Sequence, residues 1–513
     1  MADLCTLIER NAAFTPNKPA IHFEGETLTY ADLSRRINGA ARALKITLGV
    51  NRGDRVALLG LNRPDYLVLL YACARLGAIL VPLNWRLAFT EQLFILSDVG
   101  AKVLVVELAF GAVLPILEET LPQVAIVGLD FAAPGASAWD DLLDQIQRDR
   151  CHDPCANLGD PLLIVYTSGT TGRPKGAVLR QEALFWNGVM SQHMHALTSD
   201  DHVLAVLPLF HVGGLNIQTT PALHLGATVT IHSRFTTDAT FAALKHDRPT
   251  LTVLVPAIIQ ALTGDHRWST ADLSSLKAIS VGSTTVPQPL IDRLVTSGVT
   301  VLQVYGSTET SPIAIYTRLG GDLSREGSTG LPGLCCEAIV MDEAGNEVPA
   351  GTPGEIAVRG PNVLHEYWGD RPATREVMHD GWYRTGDIAS RDADGYFWVH
   401  DRKKNLIISG GENIYPAEVE RVLLEHPDVA QCAVIGRPDP QWDEVPVAYV
   451  IKRSGAQISA EALLTHVQSH LARFKVPREV IFTQELPRTA LGKIQHTLLK
   501  QLNARSAEQD FSD

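Results

Sequence analysis

The segment Tyr166-Thr-Ser-Gly-Thr-Thr-Gly-Arg-Pro-Lys-Gly176 concentrates hydroxyl groups, glycines and two cationic side chains in one short stretch. It directly follows the apolar run Leu162-Leu-Ile-Val165, whose composition predicts a buried strand. A loop at the end of a strand can hold a polyanion when its glycines leave backbone N–H groups accessible and its hydroxyls donate. We therefore interpret the segment as a phosphate-binding loop rather than a flexible linker, because a predicted strand precedes it and two cations accompany it.

This loop differs from the P-loop of nucleoside triphosphatases. That motif ends in Gly-Lys-Ser/Thr and opens a helix. Here Pro174 precedes Lys175, and Gly176 follows it. The sequence thus predicts a phosphate-binding loop of a different kind.

Composition and charge narrow the class of protein. The chain has 513 residues, too many for a single core, so we expect two or more packed units. Its formal net charge of −13 argues against nucleic acid as a partner, because nucleic-acid binding needs a cationic surface. Seven cysteines without framework spacing indicate free thiols in a reducing compartment, and we expect a cytoplasmic protein.

No segment has the features of a membrane span or a signal peptide. The most apolar stretch, residues 67–83, is interrupted by Arg75 and ends near Pro82, so it predicts a buried helix and strand. The first ten residues carry acids and lack a long apolar core.

The order of apolar runs predicts an α/β fold. Short runs alternate with helical stretches as far as about residue 304, which indicates parallel-rich sheets covered by helices. These runs are residues 56–59, 103–106, 125–127, 162–165, 203–206, 228–231, 252–255, 278–281 and 301–304. We predict a large N-terminal domain at 1–400, with a small β-rich subdomain at about 330–400. A small α+β domain follows at 401–513.

Two further segments offer groups that a nucleotide needs. Tyr305-Gly-Ser-Thr-Glu-Thr310 supplies an aromatic ring, hydroxyls and a carboxylate suited to Mg²⁺, but it equally fits a helix N-cap. Tyr383-Arg-Thr-Gly-Asp387 ends in an acid that could accept from ribose hydroxyls, although taken alone a solvated hairpin is favoured. Taken alone, His211 fits a core residue better than a catalyst, and nothing local distinguishes Lys493.

In this order the segments resemble the adenylate-forming superfamily, which contains acyl-CoA synthetases, luciferases and peptide-synthetase adenylation domains. The resemblance covers nearly the whole chain and is greatest to a bacterial fatty-acyl-CoA ligase. It also includes Asp401-Arg-Lys-Lys-Asn-Leu-Ile-Ile-Ser-Gly-Gly-Glu-Asn-Ile-Tyr-Pro416 and Gly492-Lys-Ile494. It implies that a carboxylic acid and Mg·ATP form an acyl-adenylate and pyrophosphate, and that coenzyme A then displaces AMP.

The resemblance also implies residue roles. The phosphates would be held by Thr167, Ser168, Gly169, Thr170, Thr171, Gly172 and Lys175. Tyr305 would stack on adenine, with Gly282 and Ser283 lining the same pocket, and Gly306 and Ser307 would also belong to the ATP-binding site. Thr308 would donate to the α-phosphate and Glu309 would hold Mg²⁺. Asp387, helped by Arg402, would accept from the ribose hydroxyls.

The remaining implied roles concern the acid, the thiol and a domain movement. Lys493 would bridge the substrate carboxylate and the α-phosphate, and His211 would gate the acyl pocket near Val281. Gly410 and Gly411 would line the pantetheine channel. Asp401 would be the hinge about which a mobile C-terminal domain rotates.

The acid is the least defined part of this interpretation. The family commonly has a Gly-Gly-Ala/Ser-Pro-Leu type of loop where this chain has Val281-Gly-Ser-Thr-Thr-Val286. No cation occurs there or in residues 209–215, so a second carboxylate is not favoured. We favour a medium- or long-chain fatty acid, with an aromatic acid next. Transfer to an acceptor other than CoA and a homodimer stay open, whereas Glu309 and Lys493 argue against a protein that has lost catalysis.

Overall fold

The computed structural model describes residues 2–132, 137–144, 153, 155–167, 174–282, 286–409, 412–488 and 494–510. Contacts divide the chain into two units. The first comprises Met1–Ser283, Arg293–Ala338 and Val358–Tyr383, and the second comprises Thr284–Asp292, Ile339–Ala357 and Arg384–Asp513. These two units group residues by their mutual contacts and do not test where the domains begin and end. The domains predicted at 1–400 and 401–513 and the hinge predicted at Asp401 therefore stay predictions.

The larger sheet of the first unit is mixed, with a parallel centre and antiparallel edges. Its described strands are, in spatial order, Leu331–Pro332, Ile315–Tyr316, Val301–Tyr305, Ala278–Gly282, Leu251–Leu254, His202–Ala205, Thr228–Ile231, Pro19–Phe23 and Glu26–Thr29. The strands from Val301–Tyr305 to Pro19–Phe23 are parallel. The carboxyl ends of Ala278–Gly282 and Val301–Tyr305 therefore lie side by side.

The second sheet of this unit has the same design. Its described strands are, in order, Glu366–Tyr367, Lys175–Arg180, Pro161–Thr167, Ile79–Pro82, Arg55–Leu59, Val103–Val106, Ala125–Gly128 and Ser137–Ala138. Lys175–Arg180 pairs antiparallel with both of its neighbours, and the rest of the sheet is parallel. The predicted phosphate-binding loop thus joins two adjacent antiparallel strands.

Helices cover these sheets. In the first unit the α-helices are Cys5–Phe14, Tyr30–Arg42, Asp65–Leu76, Phe89–Asp98, Leu114–Thr120, Trp139–Asp144, Gln181–His195, Val212–Gly214, Thr220–Leu225, Thr237–His246, Pro256–Thr263 and Arg371–Val377. Short 3-10 turns span Leu108–Val113, His266–Thr270 and Thr308–Thr310, and π-helical turns span Ala43–Thr47 and Leu215–Thr219. Every residue of Asp65–Leu76 is buried, which fits the predicted buried helix followed by a strand.

The second unit contains a sheet of its own. Its described strands are, in order, Glu412–Ile414, Ile407–Ser409, Asp443–Lys452 and Val429–Asp439. A further strand, Glu479–Phe482, pairs in parallel with Asp443–Lys452. Its α-helices are Pro416–Glu425, Ala460–His470 and His496–Asp510, and its 3-10 turns are Lys403–Asn405 and Arg473–Lys475. Val419, Leu423, Val450 and Leu463 are among its buried core residues.

Several elements contain a boundary between the units. They are the helix Gln288–Thr296 and the strands Glu337–Met341, Gly354–Arg359 and Trp382–Arg391. Within the first unit, Met378–His379 pairs with Trp382 and Tyr383. Within the second, residues 387–391 pair with Phe397–Arg402.

None of the helices in the described part of the chain combines the length and apolar character that a membrane span requires. Cysteine chemistry is also simple there. Each cysteine that the structure describes is a free thiol, namely Cys5, Cys73, Cys155, Cys335, Cys336 and Cys432.

Candidate active site

The two ends of the predicted phosphate-binding loop face each other across an antiparallel strand pair. Thr167 lies opposite Lys175, and its hydroxyl donates to the Lys175 carbonyl over 3.5 Å. A Cβ on Gly176 would lie 2.7 Å from Ile164 Cγ2 and 3.1 Å from the Tyr166 ring, so this strand pair requires glycine there. The predicted loop residues Ser168, Gly169, Thr170, Thr171 and Gly172 lie outside the described residues.

A tyrosine that the sequence analysis missed connects the loop's lysine with the predicted metal ligand. The Lys175 ammonium lies 5.4 Å from the centroid of the Tyr367 ring. The Tyr367 hydroxyl donates to Glu309 Oε1 over 2.9 Å. Burial, together with the neighbouring charge of Glu309, raises the pKa of Tyr367, so its hydroxyl stays protonated and remains a donor.

Glu309 lies in the 3-10 turn Thr308–Thr310 and is buried. Within the described residues, no lysine or arginine forms an ion pair with it. A buried carboxylate without a cation is costly, and its hard oxygens match the preference of Mg²⁺. The residues present therefore fit the predicted metal-ligand role.

The backbone around Glu309 is held by residues distant in sequence. The Leu364 N–H donates to the Glu309 carbonyl over 2.7 Å. The buried Asn362 amide donates to the carbonyls of Thr310 and Ile313 over 3.0 and 2.8 Å. Because no local motif signals such contacts, sequence reasoning missed Asn362 as well as Tyr367.

The predicted adenine pocket depends on close backbone approach. Gly282 pairs with Val304 of the neighbouring strand, and a Cβ on Gly282 would lie 2.4 Å from the Val304 carbonyl oxygen. A Cβ on Gly306 would lie 1.7 Å from the Pro312 carbonyl oxygen. Glycine at both positions leaves the backbone bare next to Tyr305, the ring predicted to stack on adenine.

The turn after Tyr305 is held by its own backbone and hydroxyl groups. The Ser307 N–H donates to Thr310 Oγ1 over 2.9 Å, and Thr308 is buried. Tyr305 accepts at its carbonyl from the Ala314 N–H over 3.0 Å. Ser283, the other predicted residue of this pocket, lies outside the described residues.

His211, the predicted gate residue, precedes the short helix Val212–Gly214. Its Nδ1 accepts from the Gly213 N–H over 3.1 Å, so the neutral ring carries its proton on Nε2. A Cβ on Gly214 would lie 2.3 Å from the Pro208 carbonyl oxygen, so the two backbone segments pack closely and require glycine at this position. Val281, predicted for the same pocket, is buried in its strand.

In the second unit the predicted ribose ligand is already paired with a cation. Arg402 Nε lies 2.9 Å from Asp387 Oδ1, and the two residues are opposite each other in adjacent strands. Asp387 is buried, whereas Arg402 is about half exposed. The structure thus brings together the two residues that the resemblance assigns to the ribose.

A buried acid that the sequence analysis did not identify orders the segment before Asp387. Glu355 accepts from Arg384 over 2.7 Å and from the Gly386 N–H over 3.0 Å. The Thr385 hydroxyl donates to the Ile356 carbonyl over 2.9 Å. Glu355 thereby fixes the turn from which the Asp387 side chain projects.

Asp401, the predicted hinge, is tied to the start of a helix. Its carboxylate accepts from the Ala417 N–H over 2.8 Å and from the Arg402 N–H over 2.6 Å. Burial raises the pKa of Asp401, although these hydrogen bonds oppose the shift. The predicted channel residues Gly410 and Gly411 lie outside the described residues.

Lys493 also lies outside the described residues, but the chain on either side of residues 489–493 is described. Arg488 and Ile494 form an antiparallel bridge, and the Gln495 N–H donates to the Pro487 carbonyl over 2.8 Å. His496 Nε2 lies 2.9 Å from Glu420 Oε1. Burial lowers the pKa of His496, but the hydrogen bond and charge of Glu420 outweigh burial and raise it.

Comparison with known proteins identifies the family. The model of the AMP-binding enzyme family matches residues 8–368, and that of the AMP-binding enzyme C-terminal domain matches residues 418–493. The chain belongs to the AMP-binding enzyme family. This result confirms the resemblance to the adenylate-forming superfamily and the predicted fold class.

Relatives within this family are CoA ligases. Indoleacetate–CoA ligase of Aromatoleum aromaticum is 48% identical over 98% of both chains. Feruloyl-CoA synthase of an Amycolatopsis species is 43% identical over 94% of this chain and 96% of its own. The solved o-succinylbenzoate CoA synthetase of Bacillus subtilis with ATP and magnesium has a TM-score of 0.85 and 31% identity, covering 96% of this chain and 99% of its own.

These matches confirm the predicted class of enzyme. This chain is an AMP-forming acid–CoA ligase that uses ATP and coenzyme A as substrates. The predicted roles of individual residues, including those that the structure brings together, remain predictions.

Proposed function

We propose that this enzyme activates an aromatic or aryl-substituted carboxylic acid and transfers its acyl group to coenzyme A. The observation that carries the proposal is the 48% identity to an indoleacetate–CoA ligase across 98% of both chains. The match to a feruloyl-CoA synthase supports the same class of acid. The aromatic acid, second in the ranking from sequence, therefore moves ahead of the fatty acid.

The groups of the first unit suit the adenylation step. Lys175 would neutralise phosphate charge, and Thr308 would donate to the α-phosphate that the substrate carboxylate attacks. Glu309, oriented by Tyr367, would hold Mg²⁺, which when bound supplies positive charge beside the phosphates. Tyr305 would stack on adenine between the bare backbone segments at Gly282 and Gly306.

The groups of the second unit suit ribose binding and the change from adenylation to thioester formation. Asp387 would accept from the ribose hydroxyls, and Arg402, which pairs with the same carboxylate, would hold that carboxylate in place. Lys493 would stabilise the charge that develops between carboxylate and α-phosphate. Rotation about Asp401 would then withdraw Lys493 and present Gly410 and Gly411 to the pantetheine chain.

The acid pocket fits an uncharged ring better than a second carboxylate. Residues 209–215 contain one ionisable side chain, His211, and no lysine or arginine. Val281 and Leu215 add buried apolar surface in the segments predicted to line this pocket. A fatty acid shares these requirements, so it is the comparison substrate in the test.

The proposal is tested by measuring pyrophosphate release with purified enzyme, Mg·ATP and a panel of acids, with and without CoA. We expect arylacetic and arylpropenoic acids to give kcat/KM at least about ten-fold above octanoate and palmitate, since differential burial of ring atoms is worth 1–3 kcal/mol. Acyl-CoA should form when CoA is present. A panel in which only fatty acids react would overturn the substrate assignment, and adenylation without thioester formation would point to another acceptor.

A further inference from the structure

A buried polar cluster lies beside the segment that carries His211. Its side chains come from the helix Gln181–His195, the π-helical turn Leu215–Thr219 and the strand Ala278–Gly282. They are Ser191, His195, Gln218 and Ser280, and all four are essentially inaccessible to solvent. None has a role in the proposed adenylation chemistry. Such a cluster is costly unless its donors and acceptors are matched.

The hydrogen bonds of His195 fix its tautomer. Nδ1 lies 2.8 Å from the Ser191 carbonyl oxygen, which can only accept, so Nδ1 carries the proton. Nε2 lies 2.8 Å from Ser280 Oγ and 3.1 Å from Gln218 Nε2, and it is therefore the acceptor. Burial lowers the pKa of His195 to about 4, which keeps the ring neutral at physiological pH.

This tautomer in turn fixes the orientation of the Gln218 amide. Its Nε2 donates toward His195 Nε2, and it lies 3.3 Å from Ser280 Oγ and 3.4 Å from the Thr252 carbonyl oxygen. Reversing the amide would place an oxygen against these acceptors. Oε1 therefore points away from the cluster, and it has no hydrogen-bond partner in the structure.

The unpartnered oxygen belongs to a residue that lines a small cavity. The cavity has a volume of about 10 Å³, and its lining includes Gly214, Gln218, Thr219, Leu204 and Val253. This volume is at the lower limit for one water molecule, and the mostly apolar lining gives a water few partners. Gly214 also belongs to the segment predicted to line the acyl pocket, three residues after His211.

The local helix geometry is unusual at the same place. Leu215–Thr219 forms a π-helical turn directly after Val212–Gly214. Single π-turns within helices occur frequently at functional sites, because they shift side chains out of the regular register. Gln218 is one of the residues that this turn positions.

We propose that Gln218 determines specificity for the acid: its Oε1 accepts a hydrogen bond from an N–H or O–H group on the aromatic ring of the substrate. The inference rests on the proposed function, since it needs an aryl acid in the acyl pocket that residues 209–215 are predicted to line. Acids with an indole N–H or a phenolic O–H carry such a donor. A ring without a donor would leave the buried oxygen unpaired, and the enzyme would discriminate against it.

The first test uses the unaltered enzyme and matched pairs of acids. Indole-3-acetate is compared with 1-methylindole-3-acetate, and 4-hydroxycinnamate with 4-methoxycinnamate, by acid-dependent pyrophosphate release. We expect about ten-fold lower kcat/KM for the methyl-capped member of at least one pair, which corresponds to one neutral hydrogen bond. Equal kcat/KM within both pairs would overturn the inference and leave the proposed function standing. If no aryl acid is activated, the proposed function itself fails.

The second test separates hydrogen bonding from steric exclusion of the methyl group. Gln218→Met keeps the side-chain length but removes the acceptor, so the preference within the pair should fall to about two-fold or less. A purely steric effect would persist in this variant and overturn the inference. Gln181→Met is the matched control, because Gln181 is also fully buried but both of its amide atoms are bonded, to the Leu4 N–H and the Ala74 carbonyl, each over 2.9 Å.

The control variant should retain the full preference even if its melting temperature falls. A Gln218→Met enzyme that melts at the same temperature as Gln181→Met, yet differs from it in acid preference, has lost recognition rather than structure. Loss of preference in both variants would indicate a general packing effect and overturn the inference. If Gln218→Met does not fold, the matched acids on the unaltered enzyme still decide.

Discussion

Two buried carboxylates that are predicted to contact ATP are held in different ways. Glu309, in the first unit, accepts from the neutral hydroxyl of Tyr367 over 2.9 Å. Asp387, in the second unit, is paired with the guanidinium of Arg402 over 2.9 Å. The difference concerns charge: within the described residues, Asp387 has a cationic partner and Glu309 has none.

This difference follows from what each carboxylate is predicted to bind. A carboxylate that coordinates Mg²⁺ must offer its negative charge to the ion, and a permanent arginine would compete for it. A tyrosine orients the carboxylate without neutralising it. A carboxylate that accepts from ribose hydroxyls meets a neutral ligand, so a counter-ion can stay in place. The type of partner therefore fits the predicted roles, a metal ligand for Glu309 and a hydroxyl acceptor for Asp387.

The largest expected effect comes from removing the charge of Glu309. In Glu309→Gln we expect acid-dependent pyrophosphate release to fall by about 100- to 1000-fold in kcat, because the amide cannot replace the anionic ligand. Steady-state assays at saturating Mg·ATP measure this change. Glu337→Gln is the control, since Glu337 is an exposed acid of the same unit that pairs with Arg359. If Glu309→Gln kept more than a tenth of the activity, Glu309 would not be the metal ligand that the comparison with Asp387 assumes.

A smaller effect, mainly on nucleotide binding, is expected at Asp387. Asp387→Asn keeps the shape of the side chain but loses one acceptor and the charge that holds Arg402. We expect the KM for ATP to rise about ten- to 100-fold with a modest change in kcat, since hydrogen bonds involving a charged group are worth roughly 1.5–3 kcal/mol. A collapse of kcat with unchanged KM would mean that Asp387 takes part in chemistry instead.

Tyr367→Phe probes how Glu309 is oriented. The change removes one hydroxyl and leaves the ring beside Lys175, so we expect the Mg²⁺ concentration for half-maximal rate to rise about ten-fold. The experiment removes metal with EDTA and then titrates MgCl₂ at fixed ATP. Tyr316→Phe is the control, because Tyr316 is another buried tyrosine of the same unit and its hydroxyl contacts His193 and the Leu334 N–H instead of Glu309. An unchanged Mg²⁺ titration in Tyr367→Phe would limit that tyrosine to packing.

Arg402→Ala should have the smallest effect. Arg402 is about half exposed, and such ion pairs contribute about 0–1 kcal/mol, so the KM for ATP should rise no more than about five-fold. The difference from the unaltered enzyme should shrink as NaCl is raised from 50 to 500 mM, because salt screens an exposed pair. An effect as large as that of Asp387→Asn, or one insensitive to salt, would show that Arg402 contacts the nucleotide directly.

Local patterns predicted much of the fold. The strands Val103–Val106 and Thr228–Ile231 begin and end where the apolar runs do. The helix Tyr30–Arg42 begins with a capping box between Thr29 and Asp32, two residues close together in sequence. These features depend on neighbours in sequence, so sequence alone can indicate them.

Contacts between distant residues were less accessible. The antiparallel edges of the two large sheets were not predicted, because strand pairing depends on segments far apart, as with Tyr367 opposite Ala177. For the same reason Tyr367, Asn362 and Glu355 gave no signal, although they hold Glu309, its turn and the segment before Asp387. Single motifs indicated the ligand-binding residues, but not what orients them.

The π-helical turn at Leu215–Thr219 also offers a route by which substrate preference could diverge between related enzymes. A π-turn holds one more residue than the α-helical turn it replaces. Loss of a single codon in this segment would restore an ordinary α-helical turn and reposition the side chains inside that turn, while the flanking helices kept their register. Gln218 would then leave its place beside His195. Related enzymes could therefore change the acid that they accept through insertions and deletions in this turn, without a change in any residue that is predicted to bind ATP.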